Sequence, residues 1–472
     1  MEFSATNAAH AVLVSSPGHL LPILELGKLL VTSHNVGVTI LVVSNHLTAN
    51  GESLIVQSAI ASNLYNVIHL PPVDTSNRAS GPGITHIVLA VREIKPALRS
   101  ALSALESPPT ALILHHLAFD CFEIADEFEI PKFVYVSPNA WFLALLSYTP
   151  VLDKIVEGNF VDHKENLVIP DCRSVRPKEV PTPLAYRKSS DYAEFLHVAM
   201  EIPKADGILV NTWEELQPRT LAALRDEKLL GGIVKAAIYP IGPIYRAPSK
   251  ELSSELSEWL GKQPKESVVY VSFGNKGGIS VEQIVELAWG LELSQQRFIW
   301  VVRPPVQKTG IGVHAKIGNN DVSFLPQGFV DRTREVGLLI PQWAPQVEIL
   351  NNPSVGAFFS HCGWNSTVEC ICCGLPMIAW PLFAEQKMNA TLLTEELGIA
   401  VRSEILPTEG IVGREEIKRM IRRVTVDEEG GGMRERAKAL KLAAAKAHKE
   451  GGSSYNAMAQ LAKKLCISDS SC

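Results

Sequence analysis

The chain has 472 residues, of which 46% are hydrophobic and 20% charged. One hydrophobic core stops growing at about 250–300 residues, so two domains are expected. The ordinary balance excludes a disordered chain, and a net charge of −6 excludes a general nucleic-acid binder. No apolar run reaches the roughly 20 residues of a membrane-spanning helix. Lys28 is the first basic residue, and Pro17-Gly18-His19 breaks the opening apolar stretch, so no secretory leader is expected. The expected compartment is the cytoplasm, with the eight cysteines as reduced thiols. Cys370, Cys372 and Cys373 cluster, but no second knuckle accompanies them, so they read as packing residues and no metal is expected.

Taken in chain order, His10–Ser16 is an apolar run, and Leu20, Ile23, Leu24, Gly27 and Val31 recur at helical spacing. Val36–Ser44 is again β-branched, which makes a βαβ unit and hence a parallel sheet. Strands follow at Ala111–Leu114, Phe133–Val136 and Gly207–Val210, and Thr212-Trp-Glu-Glu215 reads as a capping box opening a helix. Pro, Gly, Ser and charged residues between about Tyr239 and Ser254 mark a linker. The alternation then restarts: strands at Val268–Phe273, Phe298–Arg303, Leu338–Ile340, Val355–Ser360 and Met377–Trp380, with helices at Val281–Leu293 and Ser366–Cys373. Gln307–Val322 lacks periodicity, Glu428-Glu-Gly-Gly-Gly432 reads as a helix break, and Ser453–Leu465 is an amphipathic helix. Each half carries its own β/α alternation, so the fold class is α/β with two doubly wound domains. The expected boundaries are 1–240, a linker at 241–254, 255–450, and a final helix within 451–472.

The densest chemical signal runs from Trp343 to Gln386. A strand ends at Ser360, His361-Cys362-Gly363-Trp364 makes a turn, and Asn365-Ser366-Thr367 opens a helix. Free N–H groups at a helix start, beside hydroxyl and amide donors, suit a phosphate. Taken alone, Asn365 or Ser366 would more commonly be only an N-cap.

This stretch, WAPQVEILNNPSVGAFFSHCGWNSTVECICCGLPMIAWPLFAEQ, resembles the signature box of plant family-1 UDP-glycosyltransferases, from its first Trp to its last Gln. Phrases such as His19-Leu-Leu-Pro22 and Glu385-Gln-Lys-Met-Asn389 are similar to the branch acting on phenylpropanoids, hydroquinone-type phenols, coumarins and flavonoids. The resemblance implies the GT-B arrangement, two Rossmann-like domains facing across a cleft. The first would shape the acceptor pocket, the second would bind UDP-sugar, and the tail helix would pack back on the first. It implies that Trp343 stacks on uracil beside the Ala344 backbone, that Gln346 lies beside the nucleoside, and that Glu369 takes the ribose hydroxyls. His361, Asn365 and Ser366 would hold the diphosphate, with Trp364, Glu385 and Gln386 on the sugar. A final Gln resembles glucose users.

Inverting transfer needs a base for the acceptor proton, and His19, just past the first strand, stands where the family has one. The family's turn before it is two residues longer. The family backs that base with an Asp, whose position here holds His115; Asp120 follows five residues later and matches a second family acid. A histidine brings no negative charge to an imidazolium, which implies a less basic His19, slower turnover, or selection for acidic phenols. Asn275 replaces the usual Ser near the β-phosphate, with Lys276 beside it, and Ser137-Pro138-Asn139 replaces a Ser/Thr pair near the sugar.

The expectation is therefore an inverting UDP-glucose-dependent glucosyltransferase acting on a small phenolic metabolite, with no cofactor beyond the donor substrate. A monomer is the default. The alternative is a donor-binding relative that lost turnover with its supporting Asp. Attack through carbon or nitrogen instead of oxygen stays open. Acceptor loops are expected at Pro72–His86 and Asn139–Phe160.

Overall fold

The computed structural model describes residues 9–46, 48–76, 83–248, 251–311 and 322–466. The chain forms two compact units. One takes the chain up to Tyr245 and takes it up again at Lys446; the other holds Arg246–Ala445.

The first unit is built on seven parallel strands: β1 (His10–Val14), β2 (Gly37–Val42), β3 (Asn66–His69), β4 (Ala111–His115), β5 (Lys132–Val136), β6 (Gly207–Val210) and β7 (Ala237–Pro240), in the order β3-β2-β1-β4-β5-β6-β7. Val14 pairs with Leu41 on one side and Leu114 on the other. The central strands are buried and mostly apolar because helices cover both faces. The connectivity reverses between β1 and β4, and ligands of open α/β sheets bind outside the carboxyl ends at such a switch point. The crossing helices include α1 (Leu20–His34), α2 (Ala49–Ala61), α3 (Ile84–Ser103), α4 (Ala140–Ile155) and α5 (Ser190–Glu201).

The second unit repeats the plan with β8 (Val268–Ser272), β9 (Arg297–Val302), β10 (Gly337–Pro341), β11 (Val355–Ser360), β12 (Met377–Ala379) and β13 (Ala400–Arg402), in the order β10-β9-β8-β11-β12-β13. Its switch point lies between β8 and β11. Its helices include α6 (Val281–Ser294), α7 (Gln346–Leu350), α8 (Trp364–Cys373) and α9 (Gln386–Thr391).

The last helix, α10 (Ser453–Leu465), belongs to the first unit. Met458, Leu461 and Leu465 share a core with Ile23, Leu26 and Leu30 of α1 and Leu13 of β1. Burying a side chain of that size contributes about 1.5–3 kcal/mol. Ser454 donates to the Gly242 carbonyl, and the ring of His448 lies 2.9 Å from the Pro243 carbonyl.

Several expectations are corrected. Thr212 opens no helix: the next one starts at Pro218, and Thr212 donates instead to the Gln217 side chain at 2.9 Å. Proline suits the first helical position, and fully buried Trp213 takes up the intervening turn. The glycines at 430–432 do not break a helix but lie inside Glu428–Ala447; the break falls at Val426-Asp427. Gly430 is needed there because a Cβ would lie 2.3 Å from the Val424 carbonyl oxygen. Strands β3, β7 and β13 are short and escaped the periodicity. Residues 77–82 of the expected acceptor loop, most of the aperiodic loop (312–321) and Cys472 lie outside the described residues. No helix among the described residues is long and apolar enough to cross a membrane.

Candidate active site

In the first unit the chain leaves β1 through Ser15-Ser16-Pro17-Gly18-His19. Pro17 followed by Gly18 at φ +78° makes a type II turn, closed by the His19 N–H donating to the Ser16 carbonyl at 3.0 Å. The Gly18 N–H is fixed from outside by buried Glu52 of α2, at 2.7 Å, and Thr48 donates to the other carboxylate oxygen. This short turn delivers His19, half-buried, to the position preceding α1.

Its Nδ1 lies 3.2 Å from the Pro17 carbonyl oxygen and 3.3 Å from the Ser16 hydroxyl. His115 ends β4, is fully buried, and stacks on His19 with ring centroids 4.6 Å apart. The structure does not bring Asp120 to this pair. Its carboxylate accepts from Arg92 Nε of α3 at 2.7 Å, and Arg92 also grips Glu194 of α5 through both terminal nitrogens, at 2.7 and 2.6 Å. Asp120 is thereby a bracing residue between helices. Asn139 caps α4 by accepting the Phe142 N–H at 3.0 Å.

In the second unit the predicted residues gather at the carboxyl edge of the sheet. His361 follows β11 and is buried. A Cβ on either Gly274 or Gly363 would approach its Nε2 to 2.6 Å, so the ring slots between two glycines. Its Nδ1 is buried with no hydrogen-bond partner among the described residues. Burial, followed by the charge of Arg303, holds its pKa down at about 4, so the imidazole is neutral. Arg303 in turn donates to the Gly274 and Asn275 carbonyls at 2.7 and 2.6 Å, bracing the turn after β8, where the Asn275 side chain is exposed.

Helix α8 starts at Trp364 with Gly363 as N-cap and no side-chain cap. Neither Asn365 nor Ser366 is therefore the cap: they occupy the second and third helical positions, where the backbone N–H groups are among the unpaired donors of a helix start. Asn365 is exposed. Ser366 accepts from Gln346 Nε2 at 2.9 Å, and the same nitrogen donates to Glu369 at 2.7 Å. Gln346 thus orients the Glu369 carboxylate across two helices.

Trp343 is 60% exposed, unusual for so large an apolar ring, while Ala344 beside it is buried. Glu385 accepts from Asn389 at 3.1 Å and from the Trp364 N–H; burial pushes its pKa up. Asn389 also donates to the Cys362 carbonyl at 2.9 Å. The amide oxygen of buried Gln386 accepts the Leu382 and Phe383 N–H groups, at 2.9 and 3.1 Å, which fixes its NH₂ end as the remaining donor. Cys370 turns its thiol to the Leu375 carbonyl at 3.2 Å, a packing role.

A family profile described as "UDP-glucoronosyl and UDP-glucosyl transferase" matches residues 233–422. Anthocyanidin 3-O-glucosyltransferase 5 of Manihot esculenta is 52% identical over 460 residues, 96% of this chain and 94% of the relative. The chain belongs to the plant UDP-glycosyltransferases. It is a GT-B enzyme of glycosyl transfer from a UDP donor. The crystal structure of TcCGT1 in complex with UDP is similar with a TM-score of 0.90 at 44% identity, covering 97% of this chain and 99% of that one. Phytolacca americana UGT2, complexed with UDP-2fluoro-glucose and pterostilbene, gives 0.86 at 34% identity, covering 98% and 100%.

Several site residues of this UDP-glycosyltransferase escaped sequence reasoning. Arg303 acts through backbone carbonyls, and Glu52 through the backbone N–H of Gly18, contacts that leave no residue pattern. Ser16 was visible only as part of a turn. The transferase's Ser137 places its hydroxyl 3.0 Å from His115 Nε2.

Proposed function

We propose that this chain is an inverting transferase that moves glucose from UDP-glucose onto a hydroxyl of a small phenolic plant metabolite, with His19 as general base. The carrying observation is that His19 Nδ1 faces the Pro17 carbonyl oxygen at 3.2 Å. A carbonyl only accepts, so Nδ1 bears the proton and Nε2 is the basic nitrogen. Nε2 takes the acceptor's proton, the oxygen attacks the anomeric carbon, and the bond to the diphosphate breaks with its electron pair leaving on UDP.

In the second unit, exposed Trp343 stacks on uracil beside the Ala344 backbone. Glu369, oriented by Gln346, takes the ribose hydroxyls. His361, Asn365, Ser366 and the first N–H groups of α8 hold the diphosphate, with Asn275 on the turn that Arg303 braces. These fixed donors stabilise the departing charge without a metal or other cofactor. Trp364, Glu385 and Gln386 hold the sugar. The acceptor class is supported by the anthocyanidin in the name of the Manihot relative and the pterostilbene bound to the Phytolacca enzyme.

The test is product detection by mass spectrometry with purified protein, UDP-glucose and a panel of phenols, with the anomeric configuration read by NMR. Inverted glucosides that vanish in His19→Ala are expected. Retained configuration, or UDP-glucose binding with no product from any phenol, would overturn the proposal, the latter in favour of a donor-binding relative.

A further inference from the structure

The Ser16 hydroxyl stands between two imidazoles, 2.7 Å from His115 Nδ1 and 3.3 Å from His19 Nδ1. The direction of each bond can be derived. The Leu117 backbone N–H donates to His115 Nδ1 at 3.4 Å. A nitrogen that accepts carries a lone pair, so neutral His115 bears its proton on Nε2. That Nε2–H donates to Ser137 Oγ at 3.0 Å. Ser16 has a single hydrogen, and the shorter contact takes it, so Ser16 donates to His115. Its lone pairs are then left for the Nδ1–H of His19, shared with the Pro17 carbonyl.

The geometry points to a directional hydrogen-bond chain from His19 Nδ1–H through Ser16 to His115, anchored on Ser137, in which Ser16 is the positioning residue of the base. The inference rests on the reading of His19 as base. Glu52 holds the Gly18 N–H, Asp120 is paired with Arg92, and His116, 4.2 Å from His115, is kept neutral by burial. When His19 takes the acceptor proton at Nε2, its Nδ1 proton stays in place, held by the Ser16 and Pro17 oxygens, whose dipoles face the new positive charge. Losing Ser16 therefore weakens catalysis most where the acceptor hydroxyl ionises least readily. No proton passes beyond His19.

The test is a series of substituted phenols with UDP-glucose, from 4-methoxyphenol to 4-nitrophenol, which is already partly ionised at neutral pH and needs little help from a base. Losing a hydrogen bond to an ionised group should cost Ser16→Ala about 10- to 100-fold in kcat/KM on 4-methoxyphenol, but less than about threefold on 4-nitrophenol. KM for UDP-glucose should hold. An equal loss across the series, or a change confined to KM, overturns the inference. His115→Asn sets an amide oxygen where Nδ1 stands and should retain more activity on 4-methoxyphenol than His115→Leu; equal activities count against the chain.

If His19→Ala leaves the rates on every phenol unchanged, the base reading itself fails. If His19→Ala is inactive while Ser16→Ala is flat across the series, only the chain fails. Independently of turnover, imidazole ¹⁵N shifts of histidine-labelled protein, assigned with His19→Ala and His115→Asn, should show His115 protonated on Nε2 alone and His19 on Nδ1. The opposite tautomer at either ring overturns the inference even if no phenol is glucosylated.

Discussion

Gly274 and His361 fit together in a way that admits no side chain: a Cβ at Gly274 would stand 2.6 Å from His361 Nε2. Gly274 also has φ +70°, in the left-handed region, so any other residue there meets both strain and a clash. The ring is wedged from the other side by Gly363, and its neutral state follows from burial in that wedge and from Arg303.

Gly274→Ala should therefore displace the imidazole and weaken UDP binding by at least about tenfold, with about 1–3 kcal/mol lost from stability through overpacking. Calorimetric titration with UDP and thermal melts check both. Unchanged affinity would show that the wedge does not position His361.

Trp343 behaves in the opposite way. Its ring is largely solvated, so Trp343→Ala should change stability by no more than about 0.5 kcal/mol. Stacking of an aromatic side chain on a base is worth about 1–3 kcal/mol, and UDP affinity should fall by that amount. A large drop in melting temperature with unchanged UDP affinity would contradict the assignment.

Stability should fall with acid in a definite window. Burial lowers His361 to about 4 and His116 to about 3, whereas both titrate near 6.5 when unfolded. Below pH 6.5 the unfolded chain binds more protons, so stability is fully present above that pH and declines as pH drops towards 4. The slope from each group approaches about 1.4 kcal/mol per pH unit. His116→Phe should flatten the profile of melting temperature between pH 6.5 and 4; an identical profile would show that His116 is not held neutral.

Asp120, matched to a family acid by sequence, is occupied by Arg92. Asp120→Asn should lower stability by about 1–3 kcal/mol, since the ion pair is partly buried and Arg92 keeps Glu194. The profile of kcat/KM against pH should keep its shape. A displaced acid limb would put Asp120 back beside the base.

The long apolar strands and amphipathic helices of both sheets were legible because burial on two faces writes continuous hydrophobic runs into the sequence. Strands β3, β7 and β13 were not: each is only three or four residues long and lies at an edge of its sheet. The donor box was legible because its residues sit within one stretch from Trp343 to Gln386. The surroundings of the base were not, since Ser16 and His115 are 99 positions apart and His115 and Ser137 a further 22. Only the sheet brings those three strand ends side by side. The same limit hid Arg92, which meets Glu194 from 102 positions away.

The first unit closes only with the last helix, because Met458, Leu461 and Leu465 fill a core opened by β1 and α1 more than 400 residues earlier. During synthesis the N-terminal sheet must therefore wait, with apolar surface uncovered, while the whole second unit is made. The second unit, continuous in the chain, is free to fold first. Removing α10 would thus injure the end of the molecule that carries His19, the end farthest from it in sequence, and leave the unit immediately before it intact.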